Sequence, residues 1–139
     1  MSDEPALADF PKRSTDKLRF SDTDRQGHVN NAVFATFLET GRVEILYDSG
    51  SPIAAEAGEF VIARLGLEFR AEIRWPGSVT IGTRVAAVGR SSVTLSQAIF
   101  QDGRCAALAE TVIVQIDRQS RRALALSPQA AERLRGLMG

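Results

Sequence analysis

The sequence holds one cysteine, Cys105, and one histidine, His28. A lone cysteine excludes an intrachain disulfide and a zinc site of paired thiolates, and it points to a reducing compartment. A lone histidine excludes multi-histidine metal centres, and the carboxylates show no calcium-loop spacing, so no metal is expected. An excess of either charge is also missing, because 17 Lys and Arg balance 17 Asp and Glu. Bulk electrostatics therefore gives no reason to expect a nucleic-acid or anionic-membrane partner. No apolar run is long enough to cross a bilayer. Met1 to Lys12 is acidic and broken by Pro5 and Pro11, unlike the basic-then-apolar layout of a signal peptide. The expectation is a cytoplasmic protein.

What is present is ordinary globular composition: 139 residues with 44% hydrophobic content, enough for one domain with a real core. Residues 1–12 read as a flexible leader and 13–139 as the domain. Lys17-Leu18-Arg19-Phe20 alternates as a short strand. From Asn31 to about Tyr47, Phe34, Phe37, Leu38, Gly41 and Ile45 recur at helical spacing. Asn30 or Asn31 suits the N-cap, and Ser49-Gly50-Ser51-Pro52 suits the stop. Gly41 inside a helix costs about 1 kcal/mol relative to Ala, so a close approach of another backbone is expected there.

The remaining chain alternates. Val61, Ala63, Leu65, Leu67, Phe69, Ala71, Ile73 and Trp75 oppose Arg64, Glu68, Arg70, Glu72 and Arg74, which predicts one long half-buried strand bent near Gly66. Val79, Ile81, Val85 and Ala87 give the next strand, then Val93, Leu95 and Ile99 another. Asp102-Gly103 is a hairpin turn. Ala106, Leu108, Val112, Val114 and Ile116 are expected to share the face of the following strand. Ala123 to Leu126 suits a short edge strand, and Ser127-Pro128 opens a terminal helix. One long helix followed by hairpin-linked strands is an α+β layout in which a sheet rolls around the helix.

The chemistry concentrates in Asp22-Thr23-Asp24-Arg25-Gln26-Gly27-His28-Val29-Asn30-Asn31. A carboxylate at Asp24, beside a helix N-terminus, suits a general base toward water or a nucleophile on an acyl carbon. His28 suits a base, an acid or a hydrogen-bond donor. The free N–H groups of the first helical turn suit an oxyanion. The same residue types also serve as ordinary caps and turn formers.

The run Asp22-Thr23-Asp24-x-x-Gly27-His28-Val29-Asn30-Asn31-x-x-Phe34, continued by Phe37-x-Glu39-x-x-Arg42, resembles the opening signature of hot-dog-fold acyl thioesterases of the 4-hydroxybenzoyl-CoA thioesterase-like group. The resemblance implies the hot-dog fold, a long central helix wrapped by a curved antiparallel β-sheet. It implies homodimers joined edge to edge with sites at the interface, and homotetramers built from them. The implied reaction is hydrolysis of acyl-CoA to a carboxylic acid and CoA, with no cofactor beyond the CoA carried by the substrate. Asp24 then stands at the catalytic carboxylate and a backbone N–H near Asn31 at the oxyanion donor. Arg90, Ser91 and Ser92 match the turn that contacts CoA.

The histidine-valine-asparagine-asparagine segment is similar to that of plant acyl-ACP thioesterases, where an aspartate and a histidine four residues later both matter, here Asp24 and His28. A further branch uses a glutamate of the central helix, which Glu39 approaches and which ranks below Asp24, because an ion pair with Arg42 explains it equally well. Phe34 stands where such motifs usually carry tyrosine. The alternatives are an acyl-ACP thioesterase, a hot-dog dehydratase or hydratase, and a non-catalytic acyl-CoA-binding module. Phe37, Leu38, Phe60 and Leu65 are candidate acyl-pocket residues.

Overall fold

A computed structural model describes residues 5–47 and 53–138. Its regular elements are β1 (Lys12–Lys17), α1 (Asn31–Leu46), β2 (Gly58–Phe69), β3 (Ser78–Val88), β4 (Ser92–Gln101), β5 (Arg104–Asp117) and α2 (Pro128–Arg135), with single 3₁₀ turns at Leu7–Asp9 and Phe20–Asp22. The helix stop expected at 49–52 lies outside the described residues. All strand pairs are antiparallel, in the order β1-β3-β4-β5-β2. One long helix lies on this five-stranded open sheet, which is the hot-dog fold.

Helix α1 forms where the apolar periodicity predicts it. Asn30 caps it, its side chain accepting from the Ala32 N–H at 2.9 Å. Phe34, Phe37 and Leu38 pack with Ile81, Ile99, Ala107 and Ala109 of the sheet, each such side chain contributing roughly 1.5–3 kcal/mol on full burial. Gly41 is needed for close approach, but by side chains rather than a backbone. A Cβ there would stand 2.8 Å from Gln97 Nε2, 2.8 Å from Thr83 Oγ1 and 3.0 Å from Ile81 Cγ2. Gln97 Nε2 donates to the Leu38 carbonyl and to Thr83 Oγ1, both at 3.0 Å, tying the middle of the helix to the sheet. At the far end Ser127 caps α2 by accepting from the Ala130 N–H, and Ala130 and Leu134 close a second apolar cluster with Ile45, Leu46 and Leu95.

Several strand expectations need correction. The first strand is Lys12–Lys17, not Lys17 to Phe20. The segment expected as a leader packs down before it: Phe10 is 2% exposed and meets Phe100 edge-on on the sheet's outer face. Its ring sits so close to Gly82 that a Cβ at that glycine would lie 2.6 Å from it. Strand β2 ends at Phe69 instead of running to Trp75. The N–H groups of Arg70 and Ala71 both turn onto the Ala106 carbonyl.

The β2 faces also differ, because the register slips between Ile62 and Arg64. The extra residue, Ala63, exchanges the two faces. Before it Phe60 packs inward, and after it Leu67 does. On β5 the inward side is Ala107, Ala109, Thr111, Ile113 and Gln115, while Leu108 joins Phe10 on the outer face. Buried Thr111 and Gln115 gave that face a false polar signature. Ala123 to Leu126 is not a strand, although Ala123 bridges Ile116.

Helix α1 lies mainly over β1, β3 and β4, and reaches β5 and β2 through single side chains such as Phe34. The inner side of β2 is therefore only partly covered, with Ile62 50%, Leu65 38% and Phe69 48% exposed.

Candidate active site

The polar stretch before α1 folds into a tight loop closed on Asp24. The Asp24 N–H donates to the His28 carbonyl at 2.8 Å, the Gly27 N–H donates to the Asp24 carbonyl at 3.1 Å, and Gly27 takes φ +81°. Only glycine adopts that conformation without strain. Asp24 Oδ1 accepts from the Gln26 N–H at 2.8 Å and the His28 N–H at 3.3 Å. Both acceptances fix the carboxylate's direction and leave Oδ2 for other chemistry. Asp22 has a structural part. It is 4% exposed, its carboxylate holds the backbone and guanidinium of Arg19, and its carbonyl accepts from the Asn30 N–H.

The first turn of a helix leaves its N–H groups without intrahelical acceptors. The Asn30 side chain takes that of Ala32, and the Asn30 carbonyl takes that of Val33 at 2.9 Å. Among the described residues, the N–H of Asn31 is the one without an acceptor. It stands at the positive end of a 16-residue helix, where an anionic oxygen is stabilised.

A cavity of about 360 Å³ opens between this loop and the segment after β2. Asp24, His28 and Asn31 of the loop and helix start line it together with Phe34, Phe69, Ala71 and Glu72. Phe34 and Phe69 meet edge-on at 5.0 Å and form its apolar wall. A larger groove of about 490 Å³, on the outer face between Phe10, Leu108 and Arg84, contains none of the motif residues.

Glu72 was read in the sequence only as part of a polar strand face. The turn after Phe69 brings its Oε2 to 3.2 Å from His28 Nε2, and Arg74 Nη2 lies 2.9 Å from the same oxygen. The alternating charges around it carried no signal of this role, because nothing in them marks where β2 stops. His28 and Arg74 are bridged as antiparallel neighbours, and the Val29 N–H donates to the Ile73 carbonyl at 2.8 Å.

Of the other sequence candidates, Glu39 is exposed on α1, two turns beyond Asn31, and does not line the cavity. It acts on Arg42 only through its charge. Burial pushes the Arg42 guanidinium below its ordinary value, partly offset by Glu39. Arg90, Ser91 and Ser92 sit in the β3–β4 turn, at the opposite end of β4 from the cavity. Ten extended residues separate the two ends by about 30 Å, so a single chain does not bring them together. Phe37 and Leu38 are buried in the first apolar cluster, Phe60 packs against the second and Leu65 is partly exposed on β2; none of the four lines this cavity, whose apolar lining is Val29, Phe34, Phe69 and Ala71. Among the described residues, no three of His, Cys, Asp and Glu group closely enough to hold a metal ion. No helix among them is long and apolar enough to cross a membrane.

Residues 18–134 match the profile of the thioesterase-like superfamily, and the chain belongs to that family. It is a thioester hydrolase. Long-chain acyl-CoA thioesterase FadM of Escherichia coli (strain K12) is 31% identical over 122 residues, covering 85% of this chain and 92% of FadM. The chloroplastic acyl-acyl carrier protein thioesterase ATL2 of Arabidopsis thaliana is 28% identical over 88 residues. That match covers 61% of this chain and spans about half, 47%, of ATL2. A thioesterase of Thermus thermophilus, solved with coenzyme A and Zn, superposes with a TM-score of 0.80 at 30% identity, covering 93% of this chain and 95% of that one.

Proposed function

We propose that this chain hydrolyses acyl-CoA thioesters, with Asp24 as the general base or nucleophile and the Asn31 N–H as oxyanion donor. The observation that carries the reading is the convergence of Asp24, His28 and the N-terminus of α1 on one cavity with an apolar wall. In the base version, water adds to the thioester carbonyl carbon while Asp24 takes its proton. The oxyanion forms against the Asn31 N–H, and collapse breaks the C–S bond, releasing the acid and the protonated thiol. His28, held by Glu72, orients the water or the carbonyl.

The coenzyme A assignment draws support from FadM and from the coenzyme A complex of the Thermus protein. ATL2 supports acyl carrier protein as the second possible thiol carrier.

A homodimer completes this reading. Among the described residues strand β2 pairs only with β5, so a 12-residue edge stands free there, with Ile62, Leu65 and Phe69 exposed on its inner face. Edges of that length and apolarity are covered in stable proteins. Antiparallel pairing of two β2 edges about a two-fold axis brings the partner's β3–β4 turn to the end of the sheet that holds the cavity. Arg90, Ser91 and Ser92 can then meet CoA across the interface. The part of the outer sheet face that the Phe10 segment leaves open is available for pairing of dimers into a tetramer.

Thiol release from acyl-CoAs of graded length, followed with an aromatic disulfide reagent, tests the assignment. Release from acyl-CoA is expected. Release from acyl carrier protein alone moves the reading to that carrier, and no release from either overturns it.

A further inference from the structure

The hairpin joining β4 and β5 ends against the segment that supplies Glu72. Gln101, the last residue of β4, is 8% exposed. Its Nε2 donates to the Arg74 carbonyl at 2.8 Å, and its Oε1 accepts from the Arg74 N–H at 3.0 Å. One carboxamide thus satisfies both backbone groups of one residue, as a neighbouring strand would. Arg104, opposite Gln101 in the hairpin, extends Nη2 to the Glu72 carbonyl at 3.3 Å. On the other flank of Arg74 lies His28, and between Glu72 and Arg74 the Ile73 side chain is fully buried. Residues 72–74 are therefore gripped between the hairpin tip and the catalytic loop.

We infer that Gln101 is a positioning residue that holds Glu72 against His28, and through that contact sets the rate of the proposed thioester hydrolysis. The inference rests on the reading in the preceding subsection. Only a carboxamide of this length offers one donor and one acceptor to the same residue's backbone. Glutamate lacks the donor, methionine lacks both, and asparagine is one methylene short. Without the carboxamide the Arg74 N–H and carbonyl lose their partner. The segment then relaxes toward other partners, carrying Glu72 off the imidazole.

A purely structural glutamine would affect stability alone, and the fold supplies a matched control. Gln115, fully buried, accepts from the Ala55 N–H at 2.7 Å and donates to the carbonyls of Leu124 and Ala125 at 3.1 Å, with no tie to the cavity. His28 is the only histidine, so a long-range ¹H–¹⁵N imidazole spectrum reports on that ring alone.

Gln101→Met is expected to move the His28 ring signals toward their position in Glu72→Ala. It is also expected to lower kcat by about 10- to 100-fold with KM changed less than about twofold. Gln115→Met is expected to leave the ring signals in place. His28 signals unchanged in Gln101→Met, or moved equally by Gln115→Met, would overturn the inference. If Gln101→Met does not fold, Gln101→Glu keeps the bulk and the bond from the Arg74 N–H and is read in the same way. The ring spectrum needs no turnover. Absence of thioesterase activity would therefore defeat the functional reading while still leaving the clamp to be judged.

Discussion

His28 Nε2 stands 3.2 Å from Glu72 Oε2, which joins the loop before α1 to the segment after β2. The Glu72 side chain is 52% exposed, and exposed pairs contribute only about 0–1 kcal/mol to stability. Glu72→Ala is therefore expected to leave the unfolding midpoint nearly unchanged while lowering kcat by about 10- to 100-fold through loss of imidazole orientation. Steady-state kinetics beside a thermal melt separates the two effects.

At Gly41 side chains of the sheet come close against the helix. Alanine would gain about 1 kcal/mol of helix propensity, but its Cβ would meet Gln97 Nε2 and Thr83 Oγ1 at 2.8 Å. Those atoms also bond each other and the Leu38 carbonyl, so they cannot give way without breaking that network. Overpacking of this kind costs about 1–3 kcal/mol. Gly41→Ala is expected to be net destabilising, as urea denaturation will show.

Arg42 is 6% exposed, and its Nη1 finds no partner among the described residues. Burial of the guanidinium disfavours its charged form, in the same direction as its lowered pKa, and the charge of Glu39 offsets this only in part. Replacement by methionine keeps much of the volume and removes the charge. Arg42→Met is expected to stabilise the fold by about 1–3 kcal/mol, read by urea denaturation at neutral pH.

The Asp117 carboxylate accepts from the N–H groups of Ser120 and Gln119, both at 2.9 Å, and these bonds hold it below its ordinary value of 3.8. A carboxyl with a depressed folded-state pKa contributes stability above its unfolded value. That contribution is lost as pH falls through the folded value. Asp117→Asn is expected to flatten the acid limb of the stability curve below about pH 4, measured by denaturation at stepped pH.

Much of the architecture was legible because local pattern and tertiary role agree. The stripe from Phe34 to Ile45, the Asn30 cap, the Asp102-Gly103 turn and the Ser127-Pro128 helix start each have a local cause. Failures fell where a local cause was overridden. One extra residue at Ala63 exchanged the faces of β2, and buried Thr111 and Gln115 imitated a solvent face on β5. Phe10 sat in a stretch that its flanking prolines made look irregular, yet it found Gly82 and Phe100 across the sheet. Within the candidate site, Asp24, His28 and Asn31 were legible because they adjoin one helix N-terminus. Glu72 was not, since only the turn after Phe69 delivers it.

The most direct measurement is kcat for Asp24→Asn on an acyl-CoA that the wild-type chain hydrolyses, with folding checked by circular dichroism. The amide keeps an oxygen that can accept from the Gln26 and His28 N–H groups, so the loop is expected to hold. Loss of at least about 100-fold in kcat, in a folded protein, is the expected result. Turnover within a few-fold of wild type would contradict Asp24 as base or nucleophile.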